Sequence, residues 1–136
     1  MSLIVPNTVV TAALTNIITP NLTIRLYGNA HTPADADTVV AYTEIAGGGY
    51  TSFPLIFANW GIVIGSPITA TYNAAQLWNF SGIINPPGSI YGYYVTKDSD
   101  GSLVWAEEFP SGVIPFSPIN GSIISVVPLI TAASLF

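Results

Sequence analysis

The stretch Ser89–Phe109, SIYGYYVTKDSDGSLVWAEEF, decides the fold. Ile90 to Thr96 is rich in aromatic and branched residues, which suit a pleated, half-buried surface. Asp98-Ser99-Asp100-Gly101 supplies a turn. Asp98 is expected to bond its own backbone two residues on, and Gly101 to take the left-handed conformation that closes a bulged hairpin. Pairing Asp98 with Ser102 sets the register: Val95 faces Trp105, Tyr93 faces Glu107 and Tyr91 faces Phe109. The other face carries Ile90, Gly92, Tyr94, Val104 and Ala106. Both faces are largely apolar, so the hairpin is expected to be covered on both sides, as in a sandwich. Gly92 leaves a gap for a neighbouring aromatic ring. Trp105, opposite Val95, is expected in the core.

The segments on either side read as more strands. Ser2 to Val5 is short, extended and apolar, and ends at Pro6. Asn7 is the expected N-cap of a helix over Thr8 to Ile18. Val10, Ala13, Leu14, Ile17 and Ile18 recur there at helical spacing, and Pro20 ends it. Asn21 to Tyr27 alternates, with Leu22, Ile24 and Leu26 on one face. Gly28 to Asp37 is a polar loop, Thr38 to Glu44 a short strand, and Gly47-Gly48-Gly49 a flexible hinge. Phe53 to Phe57 reads as an edge strand because of Pro54. Asn59 to Gly65 is apolar. Ile68 to Tyr72 and Ala75 to Phe80 are strands with a turn near Asn73. Pro86-Pro87-Gly88 is a firm breaker, and Pro110 to Gly121 a loop. Ser122 to Ala132 is the last strand, with Ile123, Val127 and Leu129 on one face and Ile124, Val126 and Ile130 on the other. About eight strands in one domain, residues 1–136, predict an all-β sandwich with one short N-terminal helix; a jelly roll is among the topologies it admits.

Composition narrows the function. The 136 residues include no cysteine, so a disulfide framework and a thiolate metal site are excluded. Charged residues make up 7%, against roughly 25% in an ordinary soluble domain. Arg25 and Lys97 are the only cations, too few for a nucleic-acid surface or anionic lipid. No clean run of about 20 apolar residues exists, so no membrane helix is expected. Nothing basic precedes Arg25 as a signal peptide requires, so the sequons at Asn21, Asn79 and Asn120 are read as chance. At 50% apolar residues, the chain is expected to have a surface of Thr, Ser, Asn, Gly and Ala, much of it covered by other subunits.

Catalytic and cofactor chemistry is not legible. His31 lies near Asp35 and Asp37, but one histidine and two loop carboxylates read as a solvated loop before they read as a metal site. Asp98-Ser99-Asp100-Gly101 echoes the start of a calcium loop and lacks its later ligands. Glu107 and Glu108 are adjacent on a strand and point to opposite faces, so they form no acid–base pair. No G-x-S-x-G elbow surrounds a serine, and no Lys or Ser follows the triple glycine as in a phosphate loop. No catalytic, cofactor or metal residue is therefore assigned, and an enzyme is not expected. Trp60, Trp78, Trp105 and the tyrosines keep a sugar-binding platform as the alternative, in a carbohydrate-binding or receptor-binding domain.

The segments LTIRLYGNAHTPADADT (22–38), YTEIAGGGYTSFPL (42–55), YNAAQLWNFSG (72–82), IYGYYVTKDSDGSLVWAEEF (90–109) and NGSIISVVPLIT (120–131) carry a resemblance. Taken together they resemble small structural proteins of tailed bacteriophage virions, in particular capsid decoration, or cement, proteins. The resemblance implies a β-rich protein made in the bacterial cytoplasm that binds the outside of an assembled shell. Its partner would be the major capsid protein, and it would often act as a homotrimer, without catalysis, cofactor, nucleic acid or membrane. Leu3, Ile4, Val5, Leu135 and Phe136 make both ends apolar. Free termini are usually polar, so these residues are the candidate contacts with a neighbouring subunit; the alternative is that they pair along an edge of their own sheet and close it.

Overall fold

The computed structural model describes residues 4–132. A helix α1 (Asn7–Ile18) precedes nine strands. They are β1 (Leu22–Tyr27), β2 (Phe53–Leu55), β3 (Trp60–Val63), β4 (Thr69–Tyr72), β5 (Gln76–Asn79), β6 (Gly92–Lys97), β7 (Leu103–Glu108), β8 (Ile123–Val126) and β9 (Leu129–Thr131). All pairings are antiparallel. They build a four-stranded sheet in the order β2-β1-β6-β7, a three-stranded sheet β3-β4-β9 and a two-stranded sheet β5-β8.

The hairpin centre is as the sequence requires: Val95 pairs with Trp105 and Tyr93 with Glu107. The turn differs. Lys97 pairs with Ser102, and a bulge between Val95 and Thr96 on the β7 side restores the expected register. The turn's side-chain bond comes from Asp100, whose Oδ1 accepts the Ser102 amide at 3.0 Å. Asp98 Oδ1 instead accepts the Thr23 hydroxyl at 2.6 Å. Gly101 has φ +72°, as a bulged turn demands. Gly92 packs beneath Tyr27: a Cβ there would lie 2.7 Å from the ring and overlap the Glu107 carbonyl.

β4 and β5 run along β8 and β9 as one bent ribbon. Thr71 pairs with Leu129, whereas Gln76 pairs with Val126. The β4–β5 side therefore carries two extra residues at the bend. An offset of two keeps every side chain on its original face, whereas an offset of one would turn the strand over. Ala70, Tyr72 and Trp78 thus all point inward, as do Val126 and Ile130. The expected single strand Ser122–Ala132 is divided because Pro128 has no N–H for a ladder; its carbonyl accepts the Tyr72 amide at 2.9 Å.

Three hydrophobic clusters fill the interior, the smallest formed by Tyr27, Tyr42 and Tyr94. The largest joins Leu22, Ile24, Leu26, Tyr93 and Val95 of the four-stranded sheet to Trp78 and Val126 of the ribbon. The second packs Val10, Leu14 and Ile18 of α1 on Ile68, Ala70 and Ile130. Trp60 and Trp105 pack against these two, with ring centroids 6.2 Å apart. Trp105 is only half-buried, so it borders the core and keeps a wet side that its sequence position did not suggest.

Three further expectations are corrected. Asn7 is the first helical residue; the cap position is Pro6, and no side chain caps the helix. Thr38–Glu44 is a 3-10 turn (Val39–Ala41) leading to a single bridge between Glu44 and Tyr27. Asn29 holds it in that form, donating from Nδ2 to the Ala41 carbonyl and accepting the Thr43 amide. Gly47–Gly49 is no hinge: Ser81 N donates to the Gly48 carbonyl, Asn85 N to that of Ala46, and the turn closes on Tyr50.

Candidate interaction surface

All charged side chains of the chain fall in three segments: Arg25, Asp35 to Glu44, and Lys97 to Glu108. The structure gathers these on the four-stranded sheet and the loop crossing it. Arg25 pairs with Glu44 at 3.0 Å, and its Nε donates to the Thr96 hydroxyl. Glu44 also accepts the Tyr50 hydroxyl at 2.7 Å, and that hydroxyl in turn accepts the Leu26 amide. Burial and the Glu44 carboxylate drive the Tyr50 ionisation well above the ordinary phenol range.

His31 and Asp37 meet in the same loop, Nε2 to Oδ2 at 2.7 Å. The same carboxylate oxygen accepts the Tyr42 hydroxyl at 2.7 Å and the Ala34 amide at 2.9 Å. These hydrogen bonds, that of His31 foremost, hold the Asp37 carboxyl down at about 2. Tyr42 stacks on Tyr94 and meets Tyr27 edge-on, and the Tyr27 hydroxyl donates to the His31 carbonyl. The cluster is a clasp that fastens the loop to the sheet. Asp35 stands outside it, exposed. Among the described residues no group of three or more His, Cys, Asp or Glu is placed to hold a metal ion. Asp100 closes the hairpin turn, Asp98 ties that turn to Thr23 of β1, and Glu107 and Glu108 take opposite faces of β7.

The opposite side of the molecule is different in kind. No Asp, Glu, Lys or Arg occurs from Ile45 to Thr96 or after Glu108. Those segments contain every strand of the ribbon, and its outward face carries Leu77, Ile123 (55% exposed), Val127 and Leu129 among Thr69, Thr71, Asn79 and Ser125. Val63 on β3 extends the surface beyond Thr69. Period-two alternation exposes these residues: each inward partner is in a core, so every odd-numbered position from Ile123 to Leu129 faces out. Among the described residues these outward apolar side chains stay exposed at regular spacing. An exposed apolar surface of this kind is a candidate contact surface.

The terminal candidates are placed only in part. Ile4 is 83% exposed, whereas Val5 packs on the chain's own second cluster. Leu3, Leu135 and Phe136 lie outside the described residues. The ribbon face was missed by sequence reasoning that looked to the ends; its signal was the long charge-free run combined with alternation. Among the described aromatic residues Phe57 alone is exposed, at 45%. No helix of the described residues is long and apolar enough to cross a membrane. No protein-family model, curated protein or solved structure matches the chain.

Proposed function

We propose that this protein is a structural subunit of a virion, which coats the outer surface of an assembled capsid and stabilises it without catalysis. The observation that carries the reading is the charge-free ribbon face with its row of outward apolar side chains. Apolar area covered by a neighbour contributes about 25 cal/mol per Å² before association costs. Carboxylates there would have to be desolvated, and none is present. Collecting the charges on the far side keeps that side wetted. The resemblance to capsid decoration proteins supplies the partner, the major capsid protein, and the trimeric state.

The sugar-platform alternative has less support. A platform needs several flat rings exposed together, and among the described residues Phe57 alone is exposed, while Trp60 and Trp105 are half-buried against the core.

Co-sedimentation with shells assembled from the cognate major capsid protein tests the proposal. Binding should saturate and raise the melting temperature of the shell. Leu77→Lys with Ile123→Lys places two charges on the ribbon face at exposed positions, so folding should persist while shell binding is lost. Unchanged binding by this variant would refute the role of the ribbon, and absence of binding by the native chain would refute the function. A glycan array run beside it tests the alternative.

A further inference from the structure

β7 is the last strand of its sheet, and its outer edge is open among the described residues. The ladder pattern shows which groups it offers. Phe109 N–H donates to the Tyr91 carbonyl, so Phe109, Glu107 and Trp105 turn their backbone groups toward β6. Ala106 and Glu108 therefore direct theirs away from the sheet. No hydrogen bond from the chain reaches these backbone groups among the described residues, although the Glu108 carboxylate accepts the Thr32 hydroxyl at 3.2 Å.

A cleft flanks this edge on each face. On one face, a space of about 290 Å³ is walled by Trp105, Tyr93 and Glu107 on one side and by Ile17, Leu129 and Ile130 on the other. The opposite face has a larger one of about 480 Å³, between Leu103–Ala106 and the clasped loop at Asp35, Asp37 and Tyr42. A strand added to β7 would send successive side chains alternately into the two. Each cleft carries carboxylate: Glu107 in the first, and Asp35 and Asp37 in the second, with Glu108 beside it on the same face.

We propose that the open edge of β7 is a strand-addition site for an extended segment of a partner polypeptide carrying Lys or Arg. Backbone pairing with Ala106 and Glu108 supplies the affinity, and the two acidic clefts select basic side chains. In the first cleft a cation meets both the Glu107 carboxylate and the Trp105 ring. Carboxylates on an edge strand also act as a simple guard against self-pairing. A guard needs no cleft on either face, and here both are formed. The carboxylates argue against a second copy as the occupant. Antiparallel β7–β7 pairing would bring like charges together, and Arg25 is already committed to Glu44. The first cleft meets the ribbon face at Leu129, but the site rests on the backbone of β7, and Ala106→Pro tests it with Leu77 and Ile123 in place.

The test is a titration of the isotope-labelled full chain with acetyl-Val-Lys-Lys-Val-Lys-Lys-Val-amide, which presents lysines on both faces of the added strand, followed by amide NMR. Shifts should centre on Leu103–Phe109, with slowed hydrogen exchange at the Ala106 and Glu108 amides. The Glu counterpart of the peptide should bind at least about tenfold more weakly. Ala106→Pro removes an outward N–H while leaving the β6 ladder intact, and should weaken binding at least about tenfold. Glu107→Lys with Glu108→Lys should reverse the preference between the two peptides, which decides the matter if the proline variant fails to fold. The proposal is overturned if shifts centre elsewhere, or if a folded Ala106→Pro binds as well as the native chain. Equal binding of both peptides overturns it too. So does binding that begins only when residues 133–136 are deleted, because the chain would then fill its own edge.

Discussion

Replacing Gly92 by alanine tests whether the Tyr27 ring and the β6–β7 hairpin are fitted to each other. The new Cβ would overlap the Glu107 carbonyl and lie 2.7 Å from Tyr27 Cε1 and 2.8 Å from its hydroxyl. Tyr27 is fully buried between Tyr42 and Tyr94, so its ring has no free space to enter. β7 is an edge strand and gives way more easily. Overpacking of this size costs about 1–3 kcal/mol. If the ring also loses its bond to the His31 carbonyl, a buried hydroxyl without a partner adds about 1–3 kcal/mol. With both contributions the expected loss is about 2–6 kcal/mol by urea unfolding, and Tyr27→Leu supplies the control. In that background Gly92→Ala should cost at least about 1 kcal/mol less, since the ring is gone and only the carbonyl contact persists. A cost below about 0.5 kcal/mol in the native background, or equal costs in both, would refute the reasoning.

Leu14→Ala should cost about 2–5 kcal/mol in the same assay, because Leu14 is fully buried at the centre of the α1 cluster. Trp60→Phe should cost less than about 1.5 kcal/mol in denaturant melts despite the smaller ring, because Trp60 Nε1 is buried without a hydrogen-bond partner and its removal relieves that penalty. Asp37 has a depressed carboxyl, so its contribution is present above the ordinary value of 3.8 and is lost as pH falls through about 2. Melts between pH 1.5 and 5 should show this limb, and Asp37→Asn should flatten it. Burial pushes the Tyr93 and Tyr94 hydroxyls up to about 12, so their contribution is present below pH 10 and is lost as pH rises from 10 toward 12. Absorbance at the phenolate band should stay below that of the urea-unfolded chain at pH 11.

What the sequence revealed follows from how locally each feature is set. Alternation placed Leu22, Ile24 and Leu26 inward, and the facing sets of the last strand were right although Pro128 divides it. Side-chain parity survives a break in pairing, whereas sheet membership does not. The turn near Asn73 reads as joining two strands and leaves their partners open; it is a bend between two sheets, because both strands pair with segments some fifty residues later in the chain. The clasp was half visible: His31, Asp35 and Asp37 are close in sequence, but only Asp37 faces the histidine, and Tyr42 joins it through a turn that had read as a strand. Cleft walls and the open edge of β7 depend on packing between distant segments, which no local pattern reports.

The ribbon also bears on the order in which the chain folds. β4 and β5 are complete by Asn79, yet they pair with residues 123–131, across the whole β6–β7 hairpin. Helix α1 likewise waits for Ile130 at the far end to close its cluster. During synthesis, then, the apolar faces of α1, β4 and β5 emerge long before their cover. The β6–β7 hairpin, with its local turn, can form early and pair with β1. Contacts of such long range make the closing step slow, and the exposed interval invites association with other nascent chains. Residues 123–131 act as the latch that ends that interval. A stalled product lacking them should be held by chaperones or aggregate, even though it contains seven of the nine strands.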